Sequence, residues 1–182
     1  MTTNRIRAAT TELKKDQRKT LDDPKSEVRS RLYIKATEDI VIVAVDRIMI
    51  PDSLQNQRKS DYVVLERKRT HIIELKGIHI DEAFDQIRET VYFFDGSEET
   101  KEWTAGRDIL DAYISSPNRQ RVPNLPSKKE KELARLLYVR SQSRPSDMFE
   151  LIHFVKVVEH QRKLAVHGRQ ILTSHEAPLE FG

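Results

Sequence analysis

The chain contains no cysteine, so neither a disulfide framework nor a thiolate metal site can organise it. Its five glycines are scattered singly, which excludes a glycine-rich phosphate loop. No Gly-x-Ser-x-Gly element occurs, and that removes the commonest serine-hydrolase reading. His71, His79, His153, His160, His167 and His175 show no His-x3-His spacing, so no zinc site is assigned. No apolar run approaches the length that spans a bilayer, and the N-terminal Met1 to Arg7 lacks an apolar signal core. A cytoplasmic protein without membrane contact is expected.

What the chain has is charge, unevenly spread. Its 182 residues are 37% hydrophobic and 34% charged, which suits one domain, 1–182, with a proper core and a heavily charged surface. Residues 1–35 carry 10 basic and 5 acidic side chains. Residues 36–116 carry 10 basic and 17 acidic, and residues 117–145 carry 8 basic and 2 acidic. An acidic centre flanked by two basic segments suits a metal site bordered by surfaces that accept phosphates. Charge runs that merely solvate a surface give the same pattern.

The acidic centre holds the most informative stretch. Asp61-Tyr62-Val63-Val64-Leu65 and His71-Ile72-Ile73-Glu74-Leu75 are rich in β-branched and aromatic residues, and the charged stretch Glu66–Thr70 separates them. This reads as a β-hairpin. With the turn centred on Arg67 and Lys68, Leu65 faces Thr70, Val63 faces Ile72 and Asp61 faces Glu74. Lys76 projects from the face of Glu74, because strand side chains alternate with period two. Two carboxylates and an ammonium therefore converge, and a divalent ion would relieve the repulsion between the acids. After Gly77, the spacing of Ala83, Ile87, Val91 and Phe94 gives a helical stripe, with Asp81 as its expected N-cap and Gly96 as its stop.

Asp61-x12-Glu74-Leu75-Lys76, on a hairpin running into a helix, resembles the PD-(D/E)xK nuclease superfamily of restriction-endonuclease-like folds. The resemblance covers about residues 25–115. It implies an α/β fold with a mixed sheet and an αβββαβ core, to which this chain adds an N-terminal helix and a basic C-terminal extension over 116–182. It also implies metal-dependent hydrolysis of phosphodiester bonds in nucleic acid, DNA before RNA. Asp61, Glu74 and the carbonyl of Leu75 would hold Mg²⁺ or Mn²⁺, and Lys76 would orient the attacking water. Gln86 resembles a glutamine that some members carry, although the tyrosine they place four residues later is Thr90 here. Enzymes of this kind often pair to cut two strands, so a homodimer is among the expectations. The alternative is a nuclease-like fold kept as a silent nucleic-acid-binding or interaction module. The retained Asp61, Glu74 and Lys76 argue against it.

Two further acids, Glu27 and then Glu38, are candidates to complete the site, although surface roles suit both. Pro51-Asp52 matches the superfamily's name literally, but Asp52 falls in a loop, and Ser60 stands where the name puts proline. Asp46 is a candidate outer acid. The remaining elements follow from periodicity. An amphipathic helix is expected over 4–20, and a second over Pro24 to about Lys35 as the first helix of the core. A buried strand is expected over Asp39–Ile50, a parallel strand over Arg107–Ile114 and a helix over Lys128–Val139 capped by Ser127. A strand over Leu151–Val158 is expected, with Leu164–Val166 returning beside it and Thr173–Gly182 as a loose tail. Trp103 is expected to pack against the core edge.

Overall fold

A computed structural model describes residues 2–22, 30–48, 59–76, 80–116, 127–143, 154–160, 166–167 and 170–182. The protein is mixed α/β, built on a mixed sheet of eight strands. The charged hairpin sits at its centre. Tyr62–Leu65 (β5) and Arg69–Leu75 (β6) pair antiparallel, with Leu65 opposite Thr70 and Val63 opposite Ile72. Arg67 and Lys68 form the turn, closed by the Glu66 amide donating to the Arg69 carbonyl at 3.0 Å.

Ile40–Ala44 (β4) pairs antiparallel with β5, and Thr10–Leu13 (β1) with β4. Beyond β6 the direction stays constant. Ile109–Ser116 (β7), Val155–His160 (β8) and Gln170–Thr173 (β10) add in parallel, and Val166–His167 (β9) closes the order antiparallel to β10. Helices Ile80–Asp95 (α3) and Lys128–Arg140 (α4) make the crossovers β6 to β7 and β7 to β8. Parallel neighbours need such crossovers, and their buried strands read as near-continuous apolar runs. Ser127 caps α4 as expected, its hydroxyl accepting from the Glu130 amide at 3.1 Å.

The two faces of the sheet bury different layers. Ile72, Leu110, Ala112, Ile114 and Val155 pack against Ala83, Phe84, Ile87 and Val91 of α3 and Leu133 and Leu137 of α4. The alternate residues Ile73, Leu75, Tyr113 and Val158 pack against a second sheet of three strands. That sheet comprises Arg18–Asp22 (β2), Arg31–Ala36 (β3) and Leu179–Phe181 (β11), in the order β11-β3-β2.

Several expectations are corrected. The first helix is confined to Thr2–Ala9 (α1), and strand β1, a turn over residues 14–17 and the start of strand β2 take up the rest of the expected span. No helix occupies the end of Pro24–Lys35: Arg31–Ala36 is strand, with Leu32, Ile34 and Ala36 buried in strict alternation, and residues 23–29 lie outside the described residues. Over Arg31–Ala36 the period-two burial is that of a strand. The apolar run from Ile40 leaves the sheet at Ala44 and becomes the short helix Val45–Ile48 (α2). Val45 and Ile48, one turn apart, face the cluster of Ala9, Val63, Phe94 and Trp103. Asp81 is not the cap of α3 but lies in its first turn with Glu82, where carboxylates favour the helix dipole. Strand β9 pairs with β10 rather than with β8. The C-terminal stretch is no loose tail: β11 pairs parallel with β3, and Phe181 is buried.

Candidate functional site

The crossovers put the starts of α3 and α4 at one edge of the sheet, where the parallel strands β6 and β7 end. In open α/β sheets ligands bind at this edge. Here β6 presents Glu74 and then Lys76, and β5 begins directly after Asp61. Continuing the β5–β6 register one step past Tyr62 opposite Ile73 brings Asp61 opposite Glu74. Opposed residues share a face, with Cβ atoms about 4.5–5.5 Å apart. That face is the helical one, since Ile72 packs under α3 and α4 and Val63 joins the cluster of Phe94.

Asp61 is fixed from two sides. Its Oδ2 accepts the Leu75 amide at 2.7 Å, and its carbonyl accepts the Val45 amide at 2.8 Å. Glu74 is 2% exposed, and the extended register sets Asp61 opposite it. Lys76 supplies the nearby cation. Its Nζ donates to Gln86 Oε1 at 2.7 Å and pairs with Glu82 at 3.1 Å. Gln86 Nε2 in turn donates to the Lys59 carbonyl at 3.2 Å. Thr90, one turn later, donates to the Gln86 carbonyl at 2.8 Å and accepts the Ser60 amide at 2.8 Å. The chain entering β5 is thereby tied to α3. Ser30 Oγ donates to the Lys76 carbonyl at 2.8 Å, and the Lys76 amide donates to the Ser115 carbonyl at 2.8 Å.

Asp61, Glu74, Leu75, Lys76 and Gln86, all legible in the sequence, thus gather at one edge, but three of their supports were not foreseen. Glu82 stands one turn before Gln86, a spacing that could have flagged it as a second partner of Lys76. Thr90, read as a departure from a pattern, is the residue that anchors Ser60. Lys59 buries its Nζ 4.1 Å from the centre of the Phe93 ring, with no hydrogen-bond partner among the described residues. Burial pushes the Lys59 pKa down, against the pull of the Glu89 carboxylate. Glu38 is exposed between β3 and β4, at the opposite end of the sheet from Asp61, and is no part of this site. Glu27, Asp52 and the Asp46 side chain lie outside the described residues. Trp103 packs edge-on against Phe94 at 5.1 Å, as a core residue.

The donor set suits a hard cation. Asp61, Glu74 and the Leu75 carbonyl supply oxygen only, which is the ligand chemistry of Mg²⁺ and Mn²⁺. Among the described residues no group of three or more His, Asp or Glu side chains is placed to hold an ion. An ion here would rest on two carboxylates, the backbone and water, as Mg²⁺ often does.

A second polar cluster lies on the opposite face, under the small sheet. His71 is 3% exposed; its Nδ1 meets Asp111 at 2.5 Å and its Nε2 meets Glu66 at 2.9 Å. Lys156 bonds the other oxygen of Asp111 and the Tyr113 hydroxyl. The Phe181 ring covers His71 at 4.8 Å, and the Gly182 amide donates to Glu66 at 2.8 Å. Burial opposes charging of His71, but Asp111 and Glu66 outweigh it and raise its pKa to about 9. Burial likewise opposes ionisation of Asp111, yet His71 and Lys156 hold its pKa down at about 2. These alternating charges balance one another in the core.

Compared with protein-family models, curated proteins and solved structures, the chain matches none.

Proposed function

We propose that the protein is a divalent-metal-dependent nuclease with a restriction-endonuclease-like core, hydrolysing phosphodiester bonds of nucleic acid, DNA before RNA. What carries the reading is the β5–β6 register, which extended by one step sets Asp61 opposite Glu74, with Asp61 Oδ2 on the Leu75 amide and Lys76 following, at the edge where β6 runs into α3. The order β4, β5, β6, α3, β7, with β6 and β7 parallel, supports it as the strand arrangement that the PD-(D/E)xK resemblance implies. The expected leading helix of that core is not found over Arg31–Lys35, so the support rests on the strands and α3.

In this reading Asp61, Glu74 and the Leu75 carbonyl hold Mg²⁺ or Mn²⁺. A bound ion of this kind polarises the scissile phosphate and lowers the pKa of its water. Lys76 holds an ammonium where negative charge grows as the phosphorus gains a fifth oxygen, and stabilises that charge. Gln86 fixes the Lys76 rotamer through its 2.7 Å bond, so less reorganisation is needed during the reaction. The start of α4 lies at the same edge, where the helix dipole adds positive potential for a phosphate backbone, while Lys128 and Lys129 there are paired with Glu132 and Asp85.

The test is a panel of plasmid, linear and single-stranded DNA and RNA, with Mg²⁺ or Mn²⁺, using wild type and Lys76→Ala. Cleavage of at least one substrate by wild type, silenced by chelator and by Lys76→Ala, is expected. Substrate binding without cleavage under every condition would replace the enzyme with a silent binding module.

A further inference from the structure

The peptide between Lys59 and Ser60 is held at both of its polar groups by one helix. Gln86 Nε2 donates to the Lys59 carbonyl at 3.2 Å, and the Ser60 amide donates to Thr90 Oγ1 at 2.8 Å. In a planar trans peptide that carbonyl and that amide point in opposite directions. Gln86 and Thr90 stand four residues apart on α3, neighbours on one face, so their side chains grip the peptide from two sides. Thr90 is itself fixed, because its hydroxyl donates to the Gln86 carbonyl at 2.8 Å. Ser60 and Thr90 are both fully buried, which shields the bond from water.

The residue after this clamp is Asp61. Bonds from the Val45 amide to its carbonyl and from the Leu75 amide to its carboxylate hold it from α2 and β6. The clamp adds the third side and fixes the direction in which the chain enters Asp61. Two departures from the resembled pattern meet here. Ser60 stands where the name of the pattern puts proline, and Thr90 where some members carry tyrosine. Proline has no amide hydrogen to donate, so each departure supplies the partner that the other needs.

A buried amide requires a partner wherever it lies, so packing α3 on the strand entry is the plainer role for Thr90. The other half of the clamp favours more than packing. Gln86 Oε1 accepts the Lys76 ammonium at 2.7 Å, so one pair of side chains on α3 governs both Lys76 and the approach to Asp61. We propose that Thr90 is a positioning residue for ion binding, holding Asp61 through the Ser60 amide in the orientation its carboxylate needs. The inference rests on the ion site of the proposed nuclease. Groups one step behind a metal ligand typically set its affinity by about 10–100-fold, and the lower figure suits a contact made through the backbone.

Calorimetric titration with Mn²⁺ alone, on the full chain well below its melting temperature, tests this with wild type, Thr90→Val, Thr90→Ser and Thr104→Val. Valine keeps the shape of threonine without the hydroxyl, and serine keeps the hydroxyl. Thr104 is a buried threonine whose hydroxyl donates to Asp95, the last residue of α3, at 2.6 Å. Its valine variant therefore loses a comparable bond at the other end of the helix. Thr90→Val should bind Mn²⁺ about tenfold more weakly, with an unchanged circular dichroism spectrum. Thr90→Ser should recover the wild-type affinity, and Thr104→Val should melt lower yet bind as wild type does. Equal affinity in wild type and Thr90→Val overturns the proposal and leaves the ion site standing. Equal weakening in Thr90→Val and Thr104→Val also overturns it and assigns Thr90 to stability. A wild type that binds no Mn²⁺ removes the ion site itself, and the positioning role with it.

Discussion

At the scale of single residues, each candidate side chain has a partner that defines its work. Lys76 is held by Gln86 and Glu82 and leaves the strand pairing of β6 to its backbone. Lys76→Ala is therefore expected to lower cleavage by about 10²–10³-fold, the usual cost of losing one transition-state donor. Its melting temperature should stay close to wild type, and nucleic-acid affinity should be retained. Thermal melts and binding isotherms on the same preparation check this. His71 has the opposite character. Removing it leaves Asp111 and Glu66 buried without their shared cation, so His71→Ala should cost about 3–5 kcal/mol of stability, read as a loss in urea midpoint.

The pH dependence follows from the same residue. The His71 pKa is raised from 6.5 to about 9, so its stabilisation is fully present below 6.5 and is lost as pH rises through about 9. Asp111, held down at about 2 from 3.8, contributes above 3.8 and loses that contribution as pH falls towards 2. Urea midpoints should decline between pH 7 and 10 in wild type, a window about the raised His71 pKa, and His71→Gln should flatten that decline. An unchanged slope in the variant would show that another group titrates there.

At the scale of elements, the hairpin and its helix were legible in the sequence because local signals agreed. Apolar alternation, a charged two-residue turn and a following helical stripe all pointed to β5, β6 and α3. The register put Asp61 opposite Glu74, whereas Gln86 came only from the family resemblance and its bond to Lys76 was not foreseen. The first 36 residues were less legible, because their pairing partners lie far away in sequence. β3 is sandwiched between β2 and the C-terminal β11, and no local pattern announces a parallel contact between Ile34 and Leu179. The His71 cluster stayed hidden for the same reason, since it draws residues from β6, β7, β8 and the C-terminal stretch. Its visible trace was a run of polar residues, His71, Asp111 and Lys156, inside otherwise apolar strands. Strand β11 should therefore matter more than a tail does. Phe181→Ala is expected to cost about 3–5 kcal/mol, because Phe181 packs on His71 and Tyr113. Denaturant unfolding measures it.

At the scale of the whole molecule, the sheet separates two kinds of chemistry. The helical face carries the opposed acids and Lys76 at the edge where β6 and β7 end. The other face carries a balanced ionic cluster sealed by the small sheet. The first group, with Glu74 buried at the strand ends, is where the proposed ion would bind; the second is shut under the small sheet and serves stability. Cleavage and folding should accordingly separate on mutation: changes at Asp61 or Lys76 alter activity, and changes at His71 or Phe181 alter stability.

The central claim is that Asp61 and Glu74 hold the ion while Lys76 acts on the reaction. Initial cleavage rate measured against Mn²⁺ concentration, for wild type, Asp61→Asn and Lys76→Ala, tests it most directly. The wild-type curve should saturate. Asp61→Asn should move its midpoint to more than about tenfold higher Mn²⁺, as expected when a ligand is lost. Lys76→Ala should lower the plateau and leave the midpoint in place. A wild-type rate that does not depend on Mn²⁺, or a curve that neither substitution changes, would contradict the account.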